Sequence, residues 1–210
     1  EYSKCKGIRS YNPLPKINSS SIDDAVRLIN KAKKPFIVWG QGVILGNAED
    51  EFKSFVEKSG IPAAWTILGV SALPTSHELN VGMVGMHGNY GPNLLTNECD
   101  LLVAIGMRFD DRVTGDPKTY ANQAKIIHLD IDPAEINKNI KVEVPIIGDC
   151  KESLKLITEK IEKRSHEKWI SKFDDLMKIE FDKVINSDLN PSKKGLTMGE
   201  SIIAINEQTN

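Results

Sequence analysis

Residues 101–105 read LLVAI, five apolar side chains in succession with no polar residue between them. A strand with one wet face alternates polar and apolar positions, so a short unbroken run like this belongs to a strand covered on both faces. Strands of that kind occur in parallel sheets, where crossover connections lay helices over each side. Other largely apolar runs recur at Phe36 to Trp39, Ile61 to Thr66, Val81 to Val84, Ile126 to Asp130 and Val144 to Ile147. Between and around them lie loops or amphipathic patterns, notably Ile22 to Lys33, Ala48 to Lys58 and Lys151 to Lys163. The expected fold class is α/β, with a doubly wound parallel six-stranded sheet.

Composition narrows the function classes. The 27 basic and 29 acidic residues nearly cancel, for a net charge of −2, and aromatic residues make up only 6% of the 210. With no basic block, nucleic acid is not an expected partner. No apolar run reaches the roughly 20 residues that span a bilayer, and EYSKCKGIRS lacks the apolar stretch of a secretory signal. A cytoplasmic protein with no membrane partner is the reading. Cys5, Cys99 and Cys150 have no CxxC spacing and read as free thiols rather than a disulfide framework or zinc site, with Cys99 in the core. His77 and His166 read as exposed, and His128 as buried and hydrogen-bonded.

Tyr11 to Lys16 (YNPLPK) reads as an extended linker, and Ser19 to Ser21 offer caps for the first helix. Further helical patterns cover Trp169 to Ile185 and Met198 to Gln208, with Asn190-Pro191 as punctuation between them. The chain reads as an excised piece: 1–18 a linker, 19–165 the central domain, 166–190 a helical linker, and 191–210 the opening of another domain.

The chemistry collects at the carboxyl ends of the strands, where open α/β sheets bind ligands. Those ends read Gly40-Gln41-Gly42, Thr66-Ile67-Leu68-Gly69, Gly85-Met86-His87-Gly88, Gly106-Met107-Arg108, Asp130-Ile131-Asp132 and Gly148-Asp149-Cys150. Glycine at such turns lets backbone amides approach a ligand closely. Arg108 can fork onto a phosphate, while Asp130 and Asp149 stand where ribose hydroxyls or an adenine edge are read. Gly40-Gln41-Gly42 lacks the third glycine of GxGxxG, so the dinucleotide pattern lies in the combination rather than in any one turn. No carboxylate or nucleophile is spaced to make His87 a catalytic base. It reads as a loop histidine whose backbone matters more than its ring.

Four strings, GMHG (85–88), RFDDRVTG (108–115), IHLDIDPAEINK (127–138) and GD (148–149), give the chain its family likeness. With them, residues from about Tyr11 to Ile161 resemble the Rossmann-like central domain of acetohydroxyacid synthase (acetolactate synthase), a thiamine-diphosphate enzyme that also binds FAD. RFDDRVTG separates its FAD-dependent biosynthetic members from relatives such as pyruvate oxidase and pyruvate decarboxylase. The resemblance implies a fragment of a large, catalytic subunit. The full enzyme decarboxylates pyruvate and condenses the two-carbon unit with a second 2-ketoacid in branched-chain amino-acid biosynthesis. A partial FAD site falls in this piece. The catalytic glutamate, thiamine diphosphate and magnesium belong to other domains, so the piece is expected to be inactive alone. A homo-oligomer and a regulatory subunit are implied for the full enzyme.

Carried over by position, Gly40, Gln41 and Gly42 face the FAD, and Thr66 and Ile67 flank its ribityl chain. Val84, Gly85, Met86 and His87 lie along the flavin, Gly106 and Arg108 approach the diphosphate, and Asp130, Ile131 and Asp149 serve the adenosine end. Arg112 is similar to the arginine that engages the second ketoacid's carboxylate, with Met86 near that substrate's side chain. Gln41, Met107, Trp65 and Asn89-Tyr90-Gly91 depart from the family pattern, and Trp65 and Tyr90 are large enough to reshape the flavin cleft. The alternative is a stand-alone NAD/FAD-binding module of the same fold without synthase activity.

Overall fold

The computed structural model describes residues 13–190 and 195–209; Cys5, Tyr11 and Pro191 lie outside them. Six strands form one sheet: β1 (Pro35–Trp39), β2 (Ala63–Trp65), β3 (Asn80–Met83), β4 (Leu101–Ile105), β5 (Lys125–Asp130) and β6 (Val144–Ile147). Every pairing is parallel, in the order β3-β2-β1-β4-β5-β6. The doubly wound expectation holds.

β4 shows why its sequence cannot alternate. Leu101, Val103 and Ile105 enter one core, Leu102 and Ala104 the other, and all five are buried. β1 divides in the same way: Ile37 and Trp39 face the first core, Phe36 and Val38 the second. The first core is covered by α1 (Ser19–Lys31), α3 (Glu49–Ser59) and α6 (Cys150–Lys160), joined by the short α2 (Gln41–Leu45). Asn18 rather than the serines caps α1, its side chain accepting from Ser20 N at 3.0 Å; Ser19 to Ser21 are already helical. α3 opens with three acidic residues, which suit the positive end of the helix dipole, and closes on Gly60 in the left-handed region.

The second core is covered by α4 (Tyr90–Thr96) and α7 (Glu167–Glu180), with α5 (Asp111–Thr114) beside the cleft. α4 is a helix that the Gly91-Pro92 pair hides in the sequence; a proline in a first turn removes only an amide that has no partner there. α7 continues through a π-helical turn (Phe181–Ile185) into α8 (Asn186–Leu189), and α9 (Met198–Thr209) follows.

Within the stretch 166–190 read as a helical linker, α7 packs into the second core. Trp169 and Phe173 are buried, Trp169 Nε1 donates to Pro35 O at 2.8 Å, and the Phe36 and Phe173 rings lie 5.2 Å apart. That return buries His166, contrary to expectation; burial and the neighbouring Arg164 push its imidazole below the ordinary value. His77 is also mostly covered, its Nδ1 accepting from Leu79 N. Cys99 is in the core as expected, and burial raises its thiol to about 12. Among the described residues, no helix is long and apolar enough to cross a membrane.

Candidate functional site

Strands β1 and β4 are neighbours, yet the chain leaves β1 toward β2 and leaves β4 toward β5, on opposite sides. Their carboxyl ends form the topological switch point, where a crevice opens. Gly42 N donates to Gly106 O at 2.8 Å, Gly40 N to Ile105 O at 3.0 Å, and Gly106 N to Leu129 O at 2.8 Å. These three amides already have partners within the protein. Glycine is required here for backbone contact. A Cβ on Gly42 would meet Gly106 Cα at 2.5 Å, and Gly106 has φ +56 besides.

The crevice widens into a cleft of about 820 Å³, within the range of small-molecule sites. Gln41, Gly42, Thr66, Ile67, Val84, Gly85, Met86, His87, Gly106, Arg108, Arg112, Asp130, Ile131 and Asp149 all line it. Of the positions carried over as cofactor or substrate contacts, Gly40 alone is not on its wall; a Cβ there would press on Gly106 O and Met107. Trp65 and Tyr90, expected to reshape the cleft, are not on its wall. Sequence reasoning gave no site role to Leu14, Leu45, Gly46, Met83 or Leu129, which are. Leu68, Asp110 and Cys150 are on it too; they fall within the strand-end segments read from the sequence but were not assigned to a ligand.

Within RFDDRVTG the charges divide their duties. Asp110 caps α5, its Oδ1 accepting from Arg112 N at 3.1 Å, and its Oδ2 lies 3.7 Å from Arg108 Nη2. Arg108 nonetheless remains two-thirds exposed, available to an anion in the cleft. Arg112 extends alongside the β3–α4 loop, with Nη1 3.9 Å from Met86 Sδ.

At the other end, Asp149 caps α6 by accepting from Glu152 N at 3.0 Å, and Asp130 accepts from Asp132 N at 2.9 Å. Burial raises the Asp130 carboxyl above its usual range. His128 is fully buried behind it, and Nε2 lies 2.9 Å from Met107 O and 3.7 Å from Asp130 Oδ2. A carbonyl only accepts, so Nε2 carries the proton. Nδ1 then has no partner among the described residues, and burial pushes the imidazole below its ordinary value. His128 thus ties the Met107-Arg108 turn to the end of β5. Cys150, on the cleft wall, is raised to about 12 by burial and by the nearby Asp149 and Asp130 charges.

The arrangement offers an exposed cation at the mouth of a switch-point crevice, carboxylates at one end and apolar walls of Ile67, Leu68 and Met86 at the other. It suits an elongated ligand with a phosphate-like middle, a hydroxylated end and a flat apolar end. The chain is similar in sequence to several known proteins. Over 149 residues, 71% of this chain and 24% of the relative, it is 50% identical to the acetolactate synthase large subunit of Corynebacterium glutamicum. It is 39% identical over 193 residues to that of Buchnera aphidicola from Schizaphis graminum, covering 89% of this chain and 34% of the relative. It is 41% identical over 172 residues to a probable acetolactate synthase large subunit of Methanocaldococcus jannaschii, covering 80% and 29%. The chain spans a quarter to a third of the length of these curated relatives. Residues 22–157, from α1 into α6 and so across the whole sheet and its cleft, match the family described as the thiamine pyrophosphate enzyme central domain, and the chain belongs to that family.

Proposed function

We propose that the chain is the central domain of an acetolactate synthase large subunit and that its cleft binds FAD. The observation that carries this reading is the convergence of the switch-point cleft, the exposed Arg108 and the paired Met86 and Arg112 in a chain up to half identical to acetolactate synthases. The residues fit the cofactor. Arg108 would hold the diphosphate, Asp130 and Asp149 the adenosine end, and Thr66, Ile67 and Val84 to His87 the ribityl chain and ring. When bound, FAD would supply a flat ring for the apolar end of the cleft, with Met86 among the residues placed to pack on it.

In this reading Arg112 takes the carboxylate of the second 2-ketoacid by a two-pronged, charge-assisted hydrogen bond. Met86 gives that substrate's side chain an apolar neighbour, and the backbone contact between Gly42 and Gly106 closes the cleft beneath. Thiamine diphosphate, its magnesium ion and the catalytic glutamate would come from other parts of a longer protein. That protein would be a cytoplasmic homo-oligomer working with a regulatory subunit. The test is acetolactate formation by the longer gene product with FAD, thiamine diphosphate, magnesium and two 2-ketoacids, alongside fluorescence titration of the cleft with FAD and NAD. Acetolactate released, and FAD bound in preference to NAD, supports the reading. A FAD-loaded protein that releases no acetolactate, or tighter binding of NAD, overturns it.

A further inference from the structure

Two asparagines at the start of α4 are turned away from their own helix. Asn89 occupies the N-cap position but makes no capping hydrogen bond. The third helical residue is Pro92, which has no N–H to cap. Asn89 instead accepts from Met83 N at 2.9 Å through Oδ1 and donates to Glu180 Oε2 at 3.3 Å through Nδ2. One turn on, Asn93 makes both of its bonds to a single residue: Oδ1 accepts from Gly85 N and Nδ2 donates to Gly85 O, each at 2.9 Å.

Gly85 needs such a hold. Its φ is +109, and a Cβ there would lie 2.8 Å from Arg112 O. That same carbonyl accepts from Met86 N at 2.8 Å. The Gly85-Met86 segment is therefore fixed on one side by the Asn93 carboxamide and on the other by the backbone of Arg112. A carboxamide presents a neutral donor and acceptor side by side, whereas an ionised aspartate would set a carboxylate oxygen against the Gly85 carbonyl.

Resting on the function proposed above, we infer that Asn93, which faces the loop and is not on the cleft wall, is a positioning residue that sets Met86 against Arg112 and so governs which second 2-ketoacid is accepted. The two side chains approach to 3.9 Å. A 2-ketoacid gripped at its carboxylate by Arg112 leaves its own side chain within reach of Met86. Moving the Gly85-Met86 segment changes the room for that side chain while leaving the Arg108 and Asp130 end of the cleft in place.

The experiment compares Asn93→Ser and Asn93→Asp with Asn97→Ser, which removes an acceptor of the Ala121 amide on the same helix, away from the cleft. If Asn93→Ser fails to fold, Asn93→Asp, of nearly the same volume, carries the test. In the longer gene product, product partitioning between pyruvate and a bulkier 2-ketoacid as second substrate should shift by about tenfold, the scale of one lost hydrogen bond. FAD affinity should hold within about twofold, and Asn97→Ser should leave the partitioning unchanged. In the chain itself, amide exchange at Gly85 and Met86 should quicken about tenfold in both Asn93 variants and not in Asn97→Ser. Unaltered partitioning in an enzyme that does release acetolactate overturns the inference, as does an equal shift in Asn97→Ser. If the wild-type longer protein releases no acetolactate, the function proposed above fails. Asn93 as anchor is then judged by exchange alone, and unchanged exchange at Gly85 and Met86 refutes it.

Discussion

Gly42 and Gly106 meet backbone to backbone, the amide of the first donating to the carbonyl of the second at 2.8 Å, with no space for a side-chain atom on either. The contact closes the floor of the cleft where β1 and β4 diverge, and it sets how near the β1–α2 turn stands to Arg108.

Replacing either glycine by alanine should therefore destabilise the fold strongly. Gly42→Ala places Cβ 2.5 Å from Gly106 Cα, and Gly106→Ala adds an unfavourable φ to a 2.6 Å clash. Losses of about 3 kcal/mol or more are expected from overpacking and backbone strain together. Gly115 also has positive φ, +58, but nothing within 4 Å of its Cβ direction. Gly115→Ala should cost about 1–2 kcal/mol. Urea denaturation decides it, and a Gly42→Ala loss no larger than that of Gly115→Ala would remove the packing role.

The two arginines should separate by function. In the longer gene product Arg108→Ala should weaken FAD binding and Arg112→Ala should weaken capture of the second 2-ketoacid, each by a charge-assisted contact of about 1.5–3 kcal/mol. For Arg112 that is roughly a ten- to hundredfold fall in condensation efficiency. Flavin titration and product analysis on both variants supply the readout. Lost flavin affinity with unchanged second-substrate choice in Arg112→Ala would withdraw its assignment.

The chain alone should bind FAD with a dissociation constant in the micromolar range or weaker, equivalent to about −8 kcal/mol or less favourable. Leu45, Ile67, Leu68 and Met86 on the cleft lip are exposed, so an apolar ring lying against them keeps one face in water. Isothermal titration measures this. Purification of the chain with stoichiometric yellow flavin would contradict it.

Stability should fall with acid. Burial lowers the imidazoles of His128 and His166, so the unfolded chain binds more protons than the folded one once pH drops below about 6.5. Stability is lost progressively from there downward, to the folded-state value. Asp130, raised by burial and facing His128 together with Glu135, has the opposite sign: it favours the folded state as pH falls. The comparison is best made in an Asp130→Asn background. There, His128→Gln should flatten the decline in melting temperature between about pH 7 and pH 5, with His166 leaving a residual slope. Parallel profiles with and without the substitution would show that His128 does not titrate in that window.

Much of the fold was legible in the residues because its signals are local. LLVAI could only be a strand with two dry faces, and all five residues are buried. The strand-to-helix rhythm fixed the parallel sheet, and the residues after each strand named nearly the whole cleft wall, since parallel strands bring all their carboxyl ends to one edge. What the chain could not declare locally was which distant groups would satisfy one another. That Gly42 N–H faces Gly106 rather than a ligand, that Asp110 caps a helix, and that Asn93 closes on Gly85 depend on pairings made only when β1 lies beside β4 and α4 beside the β3 loop. Trp169 and Phe173 read only as part of a helical linker, and His166 as exposed, because amphipathic spacing says that a face is buried without saying against what. Periodicity determined the layers of this protein; the destination of each polar group was decided by tertiary packing, because a hydrogen bond is specified by both its partners.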